Sequence, residues 1–384
     1  MAMLALLAMI AATVPAGAGV RQWPVTLDDP DRPGRPVTAV LVGDDQPPAP
    51  PPVAVLAHAT MAPWTAYLDL ADHLAGRGWL VALPTTEMSL PADQADLAAD
   101  MTLLAGALRS GHAALPPDLP VPHPGPWAAL GHSVGGGAAV LAAAADPDVG
   151  VLAVMAPQEV ARPSMIAAAP AVTAPALVLA GELDCVTPPA DHQWPLYLQL
   201  ASPRRALVVL RGGGHCGFAA EPEPCVSGEA GCPPVMDSGH QRSLSRDLLA
   251  PWLDWMMRGD AAAGVAFLTA ADDDEFLDVH VTGVPTAAPA GAVLRLAPRG
   301  PRPAPGRAAW SLALPAPAVI DARIYDARGR QVRALATGGT AVSGVVALAW
   351  DGRDRAGRPA PAGVYLLRVV TSQGAAGDRI VLLR

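Results

Sequence analysis

The sequence contains a serine in a setting that favours nucleophilic chemistry. Gly131-His132-Ser133-Val134-Gly135 lies between an apolar run at 127–133 and a stretch of small residues at 135–146. A strand, a glycine-containing turn and a helix in this order predict a sharp turn that lifts the serine hydroxyl above the edge of a sheet. The alternative is a glycine-rich turn without chemistry, and the flanking strand and helix favour the nucleophile.

A nucleophilic serine needs a base to accept its proton and a carboxylate to orient that base. Asp184 ends the apolar run 176–184, and His215 ends the run 206–215 after three glycines. The order serine, acid, histidine is the one expected when the serine lies on such a turn. Glu182, two residues before Asp184, is the alternative acid. The pattern predicts acyl transfer through a covalent intermediate, with neither a cofactor nor a metal.

The negative charge that develops during acyl transfer requires two amide donors. We expect one from Val134, and the other from the loop at 58–61, at Thr60 or alternatively Met61. The candidate substrate-binding residues are Met61, Trp64, His132 and Gln158, although the His132 side chain is expected to face the packing inside the turn.

Alternating apolar segments must position these residues. Strands are predicted at 36–42, 52–59, 79–84, 127–133, 149–157, 176–184 and 206–215. Helices are predicted at 64–77, 91–113, 135–146 and between the last two strands, and a long helix at 240–258 is expected to be interrupted by Pro251. Alternation of strands and helices indicates an α/β fold with a mainly parallel sheet covered on both faces.

The composition of the chain and its pattern of apolar residues change after residue 282. Residues 283–307, rich in Pro, Gly, Ala and Arg, are predicted to be a linker, and 308–384 alternates short apolar pieces with turn signals, which is typical of a small β-sandwich. The Asp351 and Asp354 pair in this unit is interpreted as turn capping rather than as a calcium site. Residues 19–282 are the predicted α/β domain.

The first 18 residues are apolar and end in Ala16-Gly17-Ala18, which predicts a secretory signal peptide. An uncleaved start with an apolar first strand is the alternative. We expect an exported protein, extracellular or at the periplasm or cell surface, with no integral membrane segment after cleavage. The net charge is −9 and the longest basic cluster is Arg204–Arg205, which argues against a nucleic-acid partner.

Four cysteines, Cys185, Cys216, Cys225 and Cys232, agree with an oxidising compartment. An even count predicts two disulfides, and the sequence leaves all three pairings open. A zinc site is the alternative, but the spacing lacks a CxxC pattern.

Residues 25–259 resemble the dienelactone-hydrolase, chlorophyllase and cutinase-like polyesterase branch of the α/β-hydrolases. The matching pieces are VAVLAHATMAPWTAYLDLADHLAGRGWLVALPTTE, GHSVGGGAAVLAAA, APALVLAGELDCVTPP and GGGHCGFA. The resemblance implies an eight-stranded core and esterase activity, with Ser133 as nucleophile, Asp184 as acid, His215 as base, and the amides of Thr60 and Val134 as oxyanion donors. Ala59 stands where the family usually has glycine, and Thr60 and Gln158 stand where polyesterases usually have aromatic residues.

Residues 308–384 resemble the immunoglobulin-like domain of flagellar hook-capping proteins, through IYDARGRQVRAL, ALAWDGRDRAGRPAPAGVYLLRVV and RIVLLR. Trp350 and Tyr365 are the expected core aromatics. The resemblance implies an accessory module that contacts the cell surface or secretion machinery. For the whole chain we expect a monomeric esterase acting on small or medium acyl esters or on polyesters. The alternatives are an acyltransferase with the same triad and a non-catalytic adhesion protein.

Overall fold

The computed structural model describes residues 19–90, 92–220, 228–233, 235–271, 276–283, 294–299, 303–314, 318–341, 344–371 and 374–383. The expected signal peptide, Cys225 and most of the expected linker lie outside these residues. In the described part of the chain, no helix is both long enough and apolar enough to cross a membrane.

A large sheet organises the N-terminal unit. Its strands are Val20–Asp28 (β1), Pro36–Asp44 (β2), Val53–Ala57 (β3), Leu80–Pro84 (β4), Trp127–His132 (β5), Val149–Met155 (β6), Ala176–Gly181 (β7), Arg205–Leu210 (β8) and Leu277–Thr282 (β9). The spatial order is β1-β2-β4-β3-β5-β6-β7-β8-β9. Strands β3 to β8 run parallel, whereas β1, β2 and β9 pair antiparallel at the two edges.

The sheet has nine strands, one more than the eight that the resemblance implied. The sequence analysis did not assign the two edge strands of this sheet, which are β1 and, at the far edge, β9, which pairs antiparallel with β8. Its sequence, LDVHVT, places Leu277, Val279 and Val281 at alternate positions, and all three are buried. This two-residue period is typical of a strand with one buried face.

Helices cover both faces of the sheet. They are Leu68–Ala75 (α1), Gln94–Ser110 (α2), Val134–Ala145 (α3), Met165–Ala168 (α4), Gln193–Gln199 (α5), Ser238–Arg258 (α6) and Ala261–Ala270 (α7). Strands β3 and β4 are apolar along their whole length, and β5 is apolar up to Gly131, because both faces of these strands are covered. The α/β architecture expected from the alternating segments is confirmed.

Helix α6 continues through Pro251, so the expected interruption of this helix is wrong. Proline lacks the amide hydrogen and normally breaks a helix. Here Leu248, Leu249, Trp252 and Leu253 around it are fully buried. We attribute the continuity of the helix to this burial, which offsets the missing hydrogen bond.

The C-terminal unit is all β. Its strands are Arg295–Arg299 (β10), Ala304–Pro305 (β11), Ala308–Leu314 (β12), Ala318–Asp326 (β13), Gln331–Ala341 (β14), Gly344–Trp350 (β15), Gly363–Thr371 (β16) and Gly374–Leu383 (β17). They form a three-stranded sheet, β10-β12-β15, and a five-stranded sheet, β11-β17-β16-β13-β14. Trp350 and Tyr365 lie in the core between them with ring centroids 4.8 Å apart, as expected.

Strands β10 and β11 fall inside the segment expected to be a linker. Each pairs with a strand of the sandwich, β10 with β12 and β11 with β17. Short edge strands of this kind can contain proline, so their composition resembles that of a loop. In the same unit, the Asp354 carboxylate accepts from the amides of Ala356 and Arg358, which agrees with turn capping.

Candidate active site

Ser133 occupies the turn between β5 and α3 in a strained backbone conformation. Its φ is 55° and its ψ is −120°, a region that residues with a side chain rarely adopt. A Cβ at Gly131 would lie 2.1 Å from the carbonyl oxygen of Gly135. A Cβ at Gly135 would lie 2.4 Å from the carbonyl oxygen of Ala57. The turn is therefore so tight that both flanking positions require glycine, and it holds the serine at the carboxyl end of the parallel strands.

Three side chains from three different loops meet at this edge of the sheet. The Oγ of Ser133 lies 2.9 Å from Nε2 of His215, and Nδ1 of His215 lies 2.8 Å from Oδ2 of Asp184. All three residues are buried. The loops follow β5, β7 and β8, and the carboxyl ends of parallel strands lie at one edge, which is why residues separated by up to 82 positions come together.

Asp184, rather than Glu182, is the carboxylate that contacts His215. Oδ1 of Asp184 accepts hydrogen bonds from the amides of Val186, at 2.9 Å, and Thr187, at 2.7 Å. Oδ2 accepts from the Thr187 hydroxyl at 2.8 Å. Glu182 is exposed and accepts instead from the amide of Gly212. The Asp184 carboxylate is thus held in one orientation.

The main chain around His215 is held by two residues that the sequence analysis did not single out. Oε1 of Glu229 accepts from the amides of His215, at 2.5 Å, and Cys216, at 3.0 Å. The side-chain amide of Gln241 exchanges two hydrogen bonds with the main chain of Gly214. Nothing in the sequence near either residue signals this role, because the contacts span 14 and 27 positions.

His132 connects the loop of His215 with the loop after β3. Its Nε2 lies 3.1 Å from the carbonyl oxygen of His215, and its Nδ1 lies 2.8 Å from the Tyr67 hydroxyl. The same hydroxyl accepts from the amide of Ala59 at 3.0 Å. The geometry assigns the ring proton to Nε2, so that Tyr67 donates to Nδ1 and the ring is neutral.

Burial shifts the pKa of both groups in this connection. The pKa of His132 is well below its ordinary value because burial removes the charged form from water and His215 lies nearby. The pKa of the Tyr67 phenol is raised by burial. His132 is fully buried with both ring nitrogens occupied, so its side chain is not available to a substrate, although it was a candidate substrate-binding residue.

The other sequence-derived candidates surround Ser133. Val134 begins α3 directly after the serine, and the amide of Gln158 donates to the carbonyl oxygen of Ser133 at 2.8 Å. Met61 has a φ of 58° and is 41% exposed, and Trp64 is half-buried. Thr60 is half-buried in the same loop. The loop after β3 therefore exposes apolar surface to solvent.

The residues that directly follow Asp184 and His215 in the sequence are disulfide-bonded cysteines. Cys185, which follows Asp184, is bonded to Cys232. Cys216, which follows His215, is also disulfide-bonded, and Cys225 lies outside the described residues. The zinc alternative for these cysteines is therefore wrong, because Cys185, Cys216 and Cys232 are in disulfides.

A cavity of about 1010 Å³ lies elsewhere, between the two units. Glu182, Trp194, His280 and Arg307 are among the residues that line it, and the guanidinium of Arg307 lies 4.7 Å from the Trp194 ring. Ser133 and His215 do not line it. The cavity is therefore separate from the cluster around Ser133.

Comparison with protein families found a matching family model for each of the two units. Residues 125–226 match the family model described as PET hydrolase-like, and this range includes Ser133, Asp184 and His215. Residues 304–375 match the model of the FlgD Ig-like domain. No curated protein matches the chain. The two resemblances expected from the sequence are confirmed, and the first supports an esterase type of hydrolase chemistry for the N-terminal unit.

Proposed function

We propose that this chain is an exported serine hydrolase that cleaves carboxylic esters through an acyl-enzyme on Ser133. The observation that carries the proposal is the continuous contact from Ser133 Oγ through His215 to Asp184, at 2.9 and 2.8 Å. The strained turn that carries the serine and the match to PET hydrolase-like proteins support it.

In the proposed mechanism, Ser133 Oγ attacks the ester carbonyl carbon while its proton passes to Nε2 of His215. Asp184 keeps the His215 proton on Nδ1, so that Nε2 is free to act as a base, and stabilises the imidazolium that forms. His215 then returns the proton to the departing alcohol. A water molecule, deprotonated by His215, attacks the acyl carbon, and His215 gives that proton to Ser133 Oγ as the bond to the acyl group breaks and the acid is released.

The oxyanion of the tetrahedral intermediate would be bound by the amides of Val134 and Thr60, with Met61 as the alternative to Thr60. Val134 lies at the N-terminus of α3, where the first amides of a helix have no partner within the helix. Removal of one such donor costs about two orders of magnitude in rate. Hydrogen bonding of Ala59 to Tyr67 anchors the loop that holds Thr60.

We propose small or medium acyl esters as the substrates and polyesters as a further class that the family match favours. Exposed apolar side chains follow β3, which lies beside β5, and β4, which lies beside β3, at Met61, Met88 and Leu90. They are suited to an acyl chain. Gln158 takes a position where polyesterases have an aromatic residue, so stacking on an aromatic polyester would be weaker.

Export is part of the proposal. It rests on the apolar N-terminal segment and on the disulfides at Cys185 and Cys216, because disulfides persist in oxidising compartments. We propose that the C-terminal sandwich is an accessory module at the cell surface.

The test is hydrolysis of p-nitrophenyl acetate, butyrate and decanoate by the wild type, Ser133→Ala and Ser110→Ala. Ser110 is exposed at the end of α2 and serves as the control. We expect kcat to fall by about 10⁶ in Ser133→Ala, as for other triad knockouts, and to stay unchanged in Ser110→Ala. A fluorophosphonate probe should label the wild type and not Ser133→Ala.

Two further measurements separate the related functions. Added methanol would divert the acyl group to a methyl ester if the protein is an acyltransferase, and release of soluble acid from a polyester film would establish polymer hydrolysis. A folded wild type that hydrolyses none of the three esters and resists the probe would refute the proposal and favour the adhesion alternative.

A further inference from the structure

Thr187 lies within hydrogen-bond distance of both partners of the proposed acid–base pair. Its hydroxyl is 2.8 Å from Oδ2 of Asp184 and 3.0 Å from Nδ1 of His215. The residue is fully buried. Oδ2 of Asp184 and the Thr187 hydroxyl oxygen are therefore both placed to accept a hydrogen bond from Nδ1 of His215.

The surroundings of the Thr187 hydroxyl determine where its proton points. The side-chain amide of Gln193 approaches the oxygen at 3.4 Å and donates to the carbonyl oxygen of Pro157 at 2.9 Å. An amide donor and the His215 Nδ1 proton both need lone pairs of the hydroxyl. The single hydroxyl proton then points to an acceptor, and Oδ2 of Asp184, at 2.8 Å, is nearer than the carbonyl oxygen of Ala156, at 3.3 Å.

We infer that the Thr187 hydroxyl is a positioning group of the site, which fixes the Asp184 carboxylate and the His215 ring in their working orientation. The inference rests on the proposed function. Without the hydroxyl, Oδ2 would keep His215 as a partner but lose the donor that prevents rotation of the carboxylate. The two backbone amides at Oδ1 do not replace it, because they bind the other oxygen.

The hydroxyl also takes up part of the negative charge density of Oδ2. A carboxylate with one donor fewer stabilises a neighbouring imidazolium more strongly. The Nδ1 proton of His215 keeps its nearer and charged acceptor, Oδ2 at 2.8 Å, when the hydroxyl at 3.0 Å is lost. We therefore expect the effect on Oδ2 to dominate and to move the acid limb of the kcat/KM profile to higher pH. A purely steric role for the Thr187 side chain would not move this limb.

The test compares Thr187→Val, which keeps the shape, with Thr187→Ser, which keeps the hydroxyl. We expect kcat of Thr187→Val on p-nitrophenyl butyrate to fall about tenfold, equivalent to about 1.4 kcal/mol of transition-state stabilisation, with an unchanged KM. The acid limb should move to higher pH in Thr187→Val and return in Thr187→Ser. Thr102→Val is the matched control, because among the described residues the Thr102 hydroxyl donates only to the carbonyl oxygen of Ala98 on α2.

The outcomes are distinguishable. Thermal unfolding and fluorophosphonate labelling count the folded sites, and Thr187→Ala replaces Thr187→Val if the valine variant does not fold. Wild-type kcat and pH profile in Thr187→Val would overturn the inference and leave the esterase proposal intact, provided that Ser133→Ala is inactive. Failure of Thr187→Ser to restore the profile would also overturn it, because shape and not the hydroxyl would then matter. An inactive wild type would refute the proposed function itself.

Discussion

The hydroxyl of Tyr67 lies 2.8 Å from Nδ1 of His132, 65 positions away in the sequence. Through this contact the loop after β3, which holds Thr60, is tied to the main chain of His215. The two loops supply different parts of the proposed site, namely an oxyanion donor and the base. Their relative position therefore depends on two fully buried side chains, Tyr67 and His132.

Tyr67→Phe removes this connection without changing the ring. The amide of Ala59 and Nδ1 of His132 lose their partner in the protein interior, so we expect a loss of about 1–3 kcal/mol in the free energy of unfolding and a lower kcat. Urea denaturation and ester hydrolysis measure both. Tyr197→Phe is the control, because Tyr197 is also buried but its hydroxyl binds Thr282. Equal kcat values in the two variants would contradict the prediction.

Stability should decrease with acidification because of His132. Its pKa in the folded state is depressed, so above the ordinary histidine pKa of about 6.5 neither state is protonated and full stability is present. Below that value the unfolded chain binds a proton that the folded chain does not. The free energy of unfolding then falls by up to about 1.4 kcal/mol per pH unit until the folded pKa is reached.

The measurement is the free energy of unfolding at pH 7.5 and pH 5 for the wild type and His132→Asn. Burial also lowers the pKa of His73 and His192, so both proteins should lose stability, and the wild type should lose more. Identical losses would show that His132 is protonated equally in both states.

Asp184→Asn tests which carboxylate orients the base. An amide at this position can donate to His215 and stabilise the wrong tautomer, so kcat should fall by about 10⁴. Glu182→Gln is the matched control, because Glu182 lies two residues away and binds only the amide of Gly212 among the described residues. Loss of activity in Glu182→Gln, with Asp184→Asn active, would reverse the assignment.

Gly135→Ala should displace the loop that holds Thr60. The added Cβ would lie 2.4 Å from the Ala57 carbonyl oxygen and 2.5 Å from that of His58, both backbone atoms. We expect a lower melting temperature and a lower kcat. Gly106→Ala, in the interior of α2 with nothing within 4 Å of its Cβ, should instead stabilise by about 0.5–1 kcal/mol. Unchanged activity in Gly135→Ala would show that the loop can shift without harm.

Reduction should destabilise the acid loop. The Cys185–Cys232 disulfide links residues 47 positions apart and lies next to Asp184. Losing such a crosslink typically costs about 2–4 kcal/mol, so the melting temperature should fall in the presence of a reductant. Cys185→Ser with Cys232→Ser should reproduce most of the fall. A double variant with wild-type stability in the absence of reductant would show that this disulfide adds nothing.

The sequence alone determined the type of fold and the three residues that we propose for catalysis. Apolar runs that alternate with helical periods are local patterns. A serine flanked by glycines after such a run can be recognised as a candidate nucleophile from five residues. Asp184 and His215 were recognisable because each lies at the end of an apolar run. The two units were also separable, because only the first alternates apolar runs with helical periods and a segment rich in Pro, Gly, Ala and Arg follows it.

The tertiary structure decided what holds these residues in place. Tyr67, Glu229 and Gln241 act across the sequence, and no local pattern distinguishes them from ordinary buried or surface residues. Thr187 follows Asp184 by three positions, a spacing typical of a side-chain turn, but only the fold brings His215 to the same hydroxyl. The two edge strands of the large sheet, the strands inside the expected linker and the pairing of Cys185 with Cys232 depend on contacts between distant segments. Such contacts are set by packing of the whole chain, which residue types and spacing do not specify.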